Sequence, residues 1–155
     1  MRNKLLTGAA LASALALATH FEGTRYNAYL DPVGIATICQ GHTQGVKLGQ
    51  NATAAQCEAW LGEELEASAQ AVDLLTTAPV GSLSMVALAD FVYNVGSGTY
   101  QRSSVLREWN AGRPCVAATW LLKYNKAGGK VLPGLTARRV AEYKLIAKEH
   151  SCLPL

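Results

Sequence analysis

The sequence predicts an α+β fold: a small β-containing N-terminal lobe, a long connecting helix and an all-helical C-terminal lobe. Three observations predict it. Between Arg25 and Gln50 helical patterning breaks down, with Pro32, Gly34, Gly41, Gly45 and Gly49 spaced through the stretch. From Thr53 an apolar stripe at helical spacing runs for about 20 residues. After Pro79 one helical pattern follows another, each with its own stop signal. The 155 residues suit one domain of two lobes, since domains commonly run to roughly 100–200 residues. A chain of this size buries roughly 68–70% of its extended surface and needs no metal to hold it together.

Met1-Arg2-Asn3-Lys4 is a short basic head, and Leu5 to Ala18 adds fourteen uncharged residues of Leu, Ala, Gly, Ser and Thr. That length fits the apolar region of an export signal and falls short of the ~20 residues of a stable span. Positive charge ahead of it predicts that this end stays on the cytoplasmic side. Ala14-Leu15-Ala16 and Ala16-Leu17-Ala18 offer small-residue cleavage sites, but cleavage there would leave Glu22 on a frayed end. The same stretch would also make a good buried first helix of a cytosolic domain; export is the reading we favour.

Ile35 to Gln40 is short and β-compatible, which predicts a small hairpin region. Thr53, with Gln56 three residues on, is a capping box that opens the long helix. Its apolar stripe is Cys57, Leu61, Leu65 and Val72, and Glu58, Glu63, Glu64 and Glu66 fall on the wet side. Leu83 to Val95 is a strongly apolar helix that stops at Gly96-Ser97-Gly98. Short helices are predicted around Ser104–Asn110, ended by Gly112, and Pro114–Tyr124. Pro133 precedes a last helix from Leu135 to about Glu149, with Leu135, Val140, Ala141, Leu145 and Ile146 as core candidates.

Half of the residues are hydrophobic and 16% are charged, which excludes a disordered or collagen-like chain. A net charge of +3 does not indicate a nucleic-acid module. The charge is unevenly spread: residues 31–75 carry −5 and residues 76–155 carry +6. Such asymmetry suits an acidic polymer as ligand and equally suits a solvated surface pattern. Cys39, Cys57, Cys115 and Cys152 form no C-x-x-C pair, and neither His42 nor His150 stands at a usual zinc spacing from them, so no metal is expected. Four cysteines allow three disulfide connectivities. Cys39–Cys57 and Cys115–Cys152 are favoured because each pair falls within one half of the chain. Bridges closing loops of 18 and 37 residues contribute roughly 3–4 kcal/mol each in the chain-entropy model.

Three residues carry the candidate chemistry. Glu22 ends the first apolar helix, Asp31 lies nine residues on in a loop, and Thr37 opens the β-compatible run. A helix end, a loop and a strand can face one another around a cleft. Cleaving a glycosidic bond asks for a carboxylic acid to protonate the leaving oxygen. It also asks for a second group to stabilise positive charge or position water. Apolar surroundings such as Phe21 favour the protonated form of one carboxyl, and a loop carboxylate nearer water stays ionised. On chemistry alone the triad is unspecific, because any chain with 11 acidic residues offers pairs at such distances.

Phe21-Glu22-Gly23, Tyr29-Leu30-Asp31-Pro32-Val33-Gly34 and Thr37-Ile38-Cys39-Gln40-Gly41-His42-Thr43 resemble the catalytic lobe of phage-type lysozymes, glycoside hydrolase family 24. The spacing Glu, eight residues, Asp, five residues, Thr matches that family. The likeness continues through Tyr93-Asn94-Val95-Gly96, the stretch Asn125 to Leu135, then Arg138-Arg139 and Glu142, and so covers nearly all of residues 19–152. It implies a single lysozyme-like domain over residues 19–155. The implied activity is that of an endolysin muramidase cutting the β-1,4 bond between N-acetylmuramic acid and N-acetylglucosamine in peptidoglycan. Carried over, Glu22 is the general acid, Asp31 positions water or stabilises positive charge, Thr37 holds the attacking water, and the outcome is inversion. Arg138 resembles the family's basic partner of the catalytic glutamate, with Arg139 one position away. His42 is read as structural support. Tyr29 and Asn94 are candidate sugar contacts that could instead pack. Ser103 and Ser104 resemble cleft-lining positions, with a helix N-cap as the equal alternative. Trp60, Trp109 and Trp120 are expected in the core.

The N-terminus departs from the plainest members. A basic head and an apolar stretch running into the catalytic helix resemble signal-anchor-release endolysins. This implies that residues 1–18 form a signal-anchor-like segment that enters the host export machinery uncleaved. Residues 5–18 would tether the enzyme transiently to the inner membrane and later join the helix presenting Glu22. Residues 1–20 hold no cysteine, so thiol exchange with the anchor is not open to this chain. The expected location is the host periplasm, at first tethered, with peptidoglycan as partner, no nucleic acid, no cofactor, and a monomeric state. Rival readings are a lytic transglycosylase and a non-catalytic peptidoglycan-binding protein.

Overall fold

The computed structural model describes residues 5–155; Met1 to Lys4, the basic head, lie outside the described residues. Helix α1 (Gly8–Glu22) leads through Gly23 into an antiparallel hairpin, β1 (Arg25–Leu30) and β2 (Ala36–Cys39), in which Tyr29 faces Thr37. Helix α2 (Ala54–Leu75) follows, then α3 (Ser82–Val95), α4 (Ser97–Gln101), α5 (Ser104–Asn110) and α6 (Pro114–Leu121). A two-residue hairpin, β3 (Lys126–Ala127) and β4 (Lys130–Val131), precedes α7 (Pro133–His150). The C-terminal lobe is therefore helical apart from this hairpin, which turns through Gly128-Gly129.

The long helix starts as its capping box dictates. Thr53 Oγ1 accepts from the Gln56 amide at 3.2 Å, and Gln56 Oε1 accepts from the Thr53 amide at 2.8 Å. Cys57, Leu61, Leu65 and Val72 are all buried. The wet side holds one surprise: Glu66 turns back to accept from the amides of Leu5 and Leu6, at 2.9 and 3.0 Å.

Helix α3 is the hub, with α1, α2 and α7 packed around it. Its run from Ser84 to Val92 is buried throughout, as its near-continuous apolar sequence requires. Leu6, Ala14 and Ala18 join this same core. The first helix thus belongs with the helical lobe and presents Glu22 from there toward the hairpin. A small second cluster, Ile38, Cys39 and Cys57 with Trp60 half-buried beside them, lies beneath the hairpin. The disulfides are Cys39–Cys57 and Cys115–Cys152, with Cα separations of 5.2 and 5.4 Å.

Two core expectations change. The buried face of α7 is Arg138, Arg139, Glu142, Tyr143 and Ile146, while Leu135, Val140, Ala141 and Leu145 are only half-buried. Arg138 turns inward to Asp90 and Glu22, and Arg139 to Asn94 and Glu142. Trp109 is buried, but Trp120 is 37% exposed, at the outer side of a short helix that does not cover it.

Candidate active site

Glu22 is the last residue of α1. Gly23, at φ +69°, breaks the helix there and returns its amide to the Thr19 carbonyl at 2.9 Å. In that left-handed region a Cβ would be strained. Gln40 Nε2 donates to Thr24 Oγ1 at 3.0 Å and approaches Thr19 Oγ1 at 3.5 Å. The end of β2 is thereby fastened to the end of α1.

Glu22 lines a cleft of about 600 Å³ whose walls also include Gln40, Glu64, Tyr93, Asn94 and Ser97. Its side chain is 30% exposed, and Arg138 Nη1 donates to its Oε1 at 2.5 Å. Behind it, Arg138 Nε and Nη2 donate to the two Asp90 oxygens at 2.8 and 2.9 Å, a two-pronged grip in full burial. Burial works against the charge on Arg138, but Asp90 and then Glu22 outweigh it, so this guanidinium is held more firmly protonated than usual. Phe21 and Tyr93 set their rings 5.8 and 6.0 Å from the same guanidinium.

Next along the helix, Arg139 Nη2 donates to Glu142 Oε1 at 2.7 Å and to Asn94 Oδ1 at 3.0 Å. Burial pushes the Glu142 carboxyl well above the usual carboxylate range; Arg139 opposes this without cancelling it, and Asp90 adds to the rise. Arg138 is thus the residue that faces Glu22, and Arg139 faces away from it.

The other two candidates of the triad belong to the hairpin and are not among the walls of this cleft. Asp31 opens the turn before β2: its Oδ1 accepts from the amides of Val33 and Ile35 at 3.0 and 2.8 Å, which fixes the carboxylate. Thr37 is 4% exposed and donates its hydroxyl hydrogen to the Ile35 carbonyl at 3.0 Å.

The supporting candidates divide. His42 Nδ1 lies 2.7 Å from Glu64 Oε1, and its ring stacks on Trp60 at 4.5 Å. Asn94 is in the cleft wall, with its carbonyl oxygen already taken by Arg139. Tyr29 lies outside that wall, half-buried under the Arg25 guanidinium at 4.4 Å. Ser103 takes the second of its two readings: it is buried, its Oγ accepts from the Leu106 amide at 3.0 Å and donates to the Tyr100 carbonyl, so it is the N-cap of α5. Ser104 is the first residue of that helix and likewise not a cleft wall.

Sequence reasoning missed Asp90 as part of the site. The available signal was its charge, the one ion in the apolar run from Leu83 to Val95, where a carboxylate must be paired to be buried. Gln40 and Glu64 carried no comparable signal.

The phage lysozyme family model matches residues 19–142. The chain is 36% identical over 152 residues to the SAR-endolysin of Bacteriophage PS119, covering 92% of this chain and 91% of the relative. Among solved structures it resembles the muramidase domain of SpmX from Asticaccaulis excentricus, with TM-score 0.81 and 32% identity, over 86% of this chain and 94% of that one. It also resembles the endolysin from Escherichia coli O157:H7 phage FAHEc1, with TM-score 0.79 and 30% identity, over 92% of this chain and 94% of that one. The family match takes in Glu22, the hairpin and the part of α7 that bears Arg138, Arg139 and Glu142. The chain belongs to the phage lysozyme family and is a glycoside hydrolase.

Proposed function

We propose that this protein is an endolysin muramidase that hydrolyses the β-1,4 bond between N-acetylmuramic acid and N-acetylglucosamine in peptidoglycan to lyse the host. The observation that carries the reading is the Glu22 carboxyl, half-shielded in the cleft wall and gripped on Oε1 by Arg138. Glu22 is the general acid that protonates the leaving oxygen. Asp31, oriented by two backbone amides, stabilises positive charge or positions water on the far face of the sugar. Thr37 spends its proton on the Ile35 carbonyl, so its lone pairs accept a hydrogen bond from the attacking water. Attack from the face opposite the acid gives inversion. A transglycosylase or a purely binding role fits less well, since this arrangement supplies water-directing groups. Turbidity clearing of permeabilised Gram-negative cells tests the reading. Wild type clears and Glu22→Gln does not; clearing that persists in the variant overturns it.

Residues 5–18 act before the enzyme does. Exported uncleaved, they tether the protein to the inner membrane facing the periplasm, then leave the bilayer and fold as α1. Two things support this: the likeness to a protein named SAR-endolysin, and a run of Leu diluted by Ala, Gly, Ser and Thr, which weakens retention in lipid. Among the described residues no helix is long and apolar enough to cross a membrane, and α1 instead buries Ala14 and Ala18 in the core. Carbonate extraction with a parallel activity assay decides it. The pelleted form should be inactive and full length; an active pelleted form, or a processed N-terminus, defeats it.

A further inference from the structure

Helix α3 carries a fully buried aspartate where its neighbours Met85 to Ala89, Phe91 and Val92 are all apolar. Burying an ion pair is seldom more stabilising than filling the same space with apolar side chains. Asp90 therefore calls for a reason beyond stability, and its geometry supplies one. It engages Nε and Nη2 of Arg138, one whole edge of the fork, and so aims the remaining Nη1 at Glu22 Oε1. Arg138 thus occupies one Glu22 oxygen and leaves Oε2 to carry the proton.

We propose that Asp90 is a positioning residue for Glu22: by offsetting the charge of Arg138 it lets an arginine in direct contact orient the acid without stripping its proton. The inference rests on Glu22 being the general acid. An uncompensated guanidinium at this distance would favour the ionised carboxyl, which cannot protonate a leaving group. With Asp90 locked onto the opposite edge, the pair presents Glu22 with the tip of a donor that is nearly neutral overall. Among the described residues the other charged or titratable groups around Glu22 are few: Tyr93 from α3, Glu64 across the cleft on α2, His20 two residues back on α1, and the Arg139–Glu142 pair deeper on α7. Of these, Glu142 alone approaches the guanidinium edge that Asp90 holds, its Oε1 standing 4.0 Å from Arg138 Nε, beyond hydrogen-bond distance.

The pH profile of kcat/KM is the test, run on the full chain with permeabilised cells as substrate. Glu22→Gln is measured first, because its inactivity is what the muramidase reading requires; activity there would sink that reading independently of Asp90. With that control in hand, Asp90→Asn keeps the shape but removes the offsetting charge. Its alkaline limb, where the acid loses its proton, should move to lower pH by roughly one unit. Lower activity or a lower Tm with the limb unmoved would assign Asp90 a structural role alone and overturn the proposal. Should Asp90→Asn fail to fold, the double variant Asp90→Asn with Arg138→Gln removes both buried charges together. Its alkaline limb should then move the opposite way, to or above the wild-type position; a limb displaced to lower pH in that variant would equally overturn it.

Discussion

The Tyr93 hydroxyl donates to the Gln40 carbonyl at 2.8 Å and so ties helix α3 to the end of the hairpin across the floor of the cleft. The phenol is half-buried, and burial, with Glu64 and Glu22 nearby, pushes its pKa above the usual tyrosine value, so it remains a donor throughout the working pH range. Tyr93→Phe removes one hydrogen bond, about 1 kcal/mol. Because Gln40 also holds Thr24, the hairpin should sit less firmly over Glu22. The expected outcome is a rise in KM of several-fold with kcat changed less. A fall in kcat at constant KM would show that Tyr93 acts on the chemical step instead.

The two disulfides should differ in what they protect. Cys39–Cys57 joins the end of β2 to α2, two residues beyond Thr37, and holds Cys39 at φ +59° where a non-glycine residue is strained. Cys115–Cys152 joins α6 to the chain just past α7, far from the cleft. Loss of either bridge through paired Cys→Ser substitution should cost about 3 kcal/mol and lower Tm by roughly 10 °C. Only loss of Cys39–Cys57 should also depress turbidity clearing at a temperature where both variants remain folded. Equal activity in the two variants would mean that the hairpin keeps its place without its bridge.

How much of this was legible beforehand follows from which residues bury charge. The capping box, the apolar stripe of α2, the near-continuous apolar run of α3 and the stop at Gly96 could be read directly, because local chemistry and tertiary packing agree there. Glu22, Asp31 and Thr37 were visible through their spacing and the motifs around them. The inward face of α7 was not. A hydrophobic pattern assigns Val140 and Leu145 to the core, and nothing local reveals that Arg138 and Arg139 face inward to partners on α1 and α3, with Glu142 buried against Arg139. Ser103 was ambiguous in sequence because the same hydroxyl that could meet a sugar also caps a helix. The cleft floor, built by Gln40, Glu64 and Tyr93, comes from three separate elements and leaves no contiguous trace.

Helix α3 is capped from another helix. Its N-cap residue, Gly81, has no side chain to offer, and Glu149 of α7 accepts from the amides of Leu83 and Ser84 at 3.1 and 3.0 Å and from the Ser84 hydroxyl. A Cβ on Gly81 would collide with the Glu149 carboxylate, so the glycine is there for space, its φ of −79° being ordinary. Burial raises the Glu149 pKa, but the Ser84 hydroxyl and the two amides more than offset it and hold the carboxyl below the usual carboxylate range. A lowered carboxyl stabilises the fold above its unfolded pKa, and the contribution fades as pH falls through the folded one. Glu149→Gln should therefore cost about 1 kcal/mol, or roughly 2–4 °C of Tm, at pH 7. Its Tm difference from wild type should shrink below pH 4. Gly81→Ala should lower Tm similarly and add little on top of Glu149→Gln, since both remove the same cap. A full additive loss in the double variant would show that two separate interactions are involved.

Glu66 makes the corresponding test for the N-terminal segment. Its two oxygens receive the amides of Leu5 and Leu6, Gln70 Nε2 supports it at 3.3 Å, and Leu6 buries its side chain completely against the core. Thr7, the N-cap of α1, makes no side-chain cap bond, so Glu66 supplies the anchoring that the helix start lacks. Two charge-assisted bonds at a half-buried site should contribute about 1–2 kcal/mol, and Glu66→Ala should lower Tm by roughly 2–6 °C. A Leu6→Ala change, which empties a buried site, should cost about 2–4 kcal/mol. If residues 5–18 also dwell in the membrane, both substitutions shift the balance toward the inserted form, because each weakens only the folded one. The fraction recovered in the carbonate pellet should then rise for Glu66→Ala and rise further for Leu6→Ala. A lower Tm without a larger pelleted fraction would mean that these contacts hold the folded enzyme together but do not compete with the bilayer for the segment.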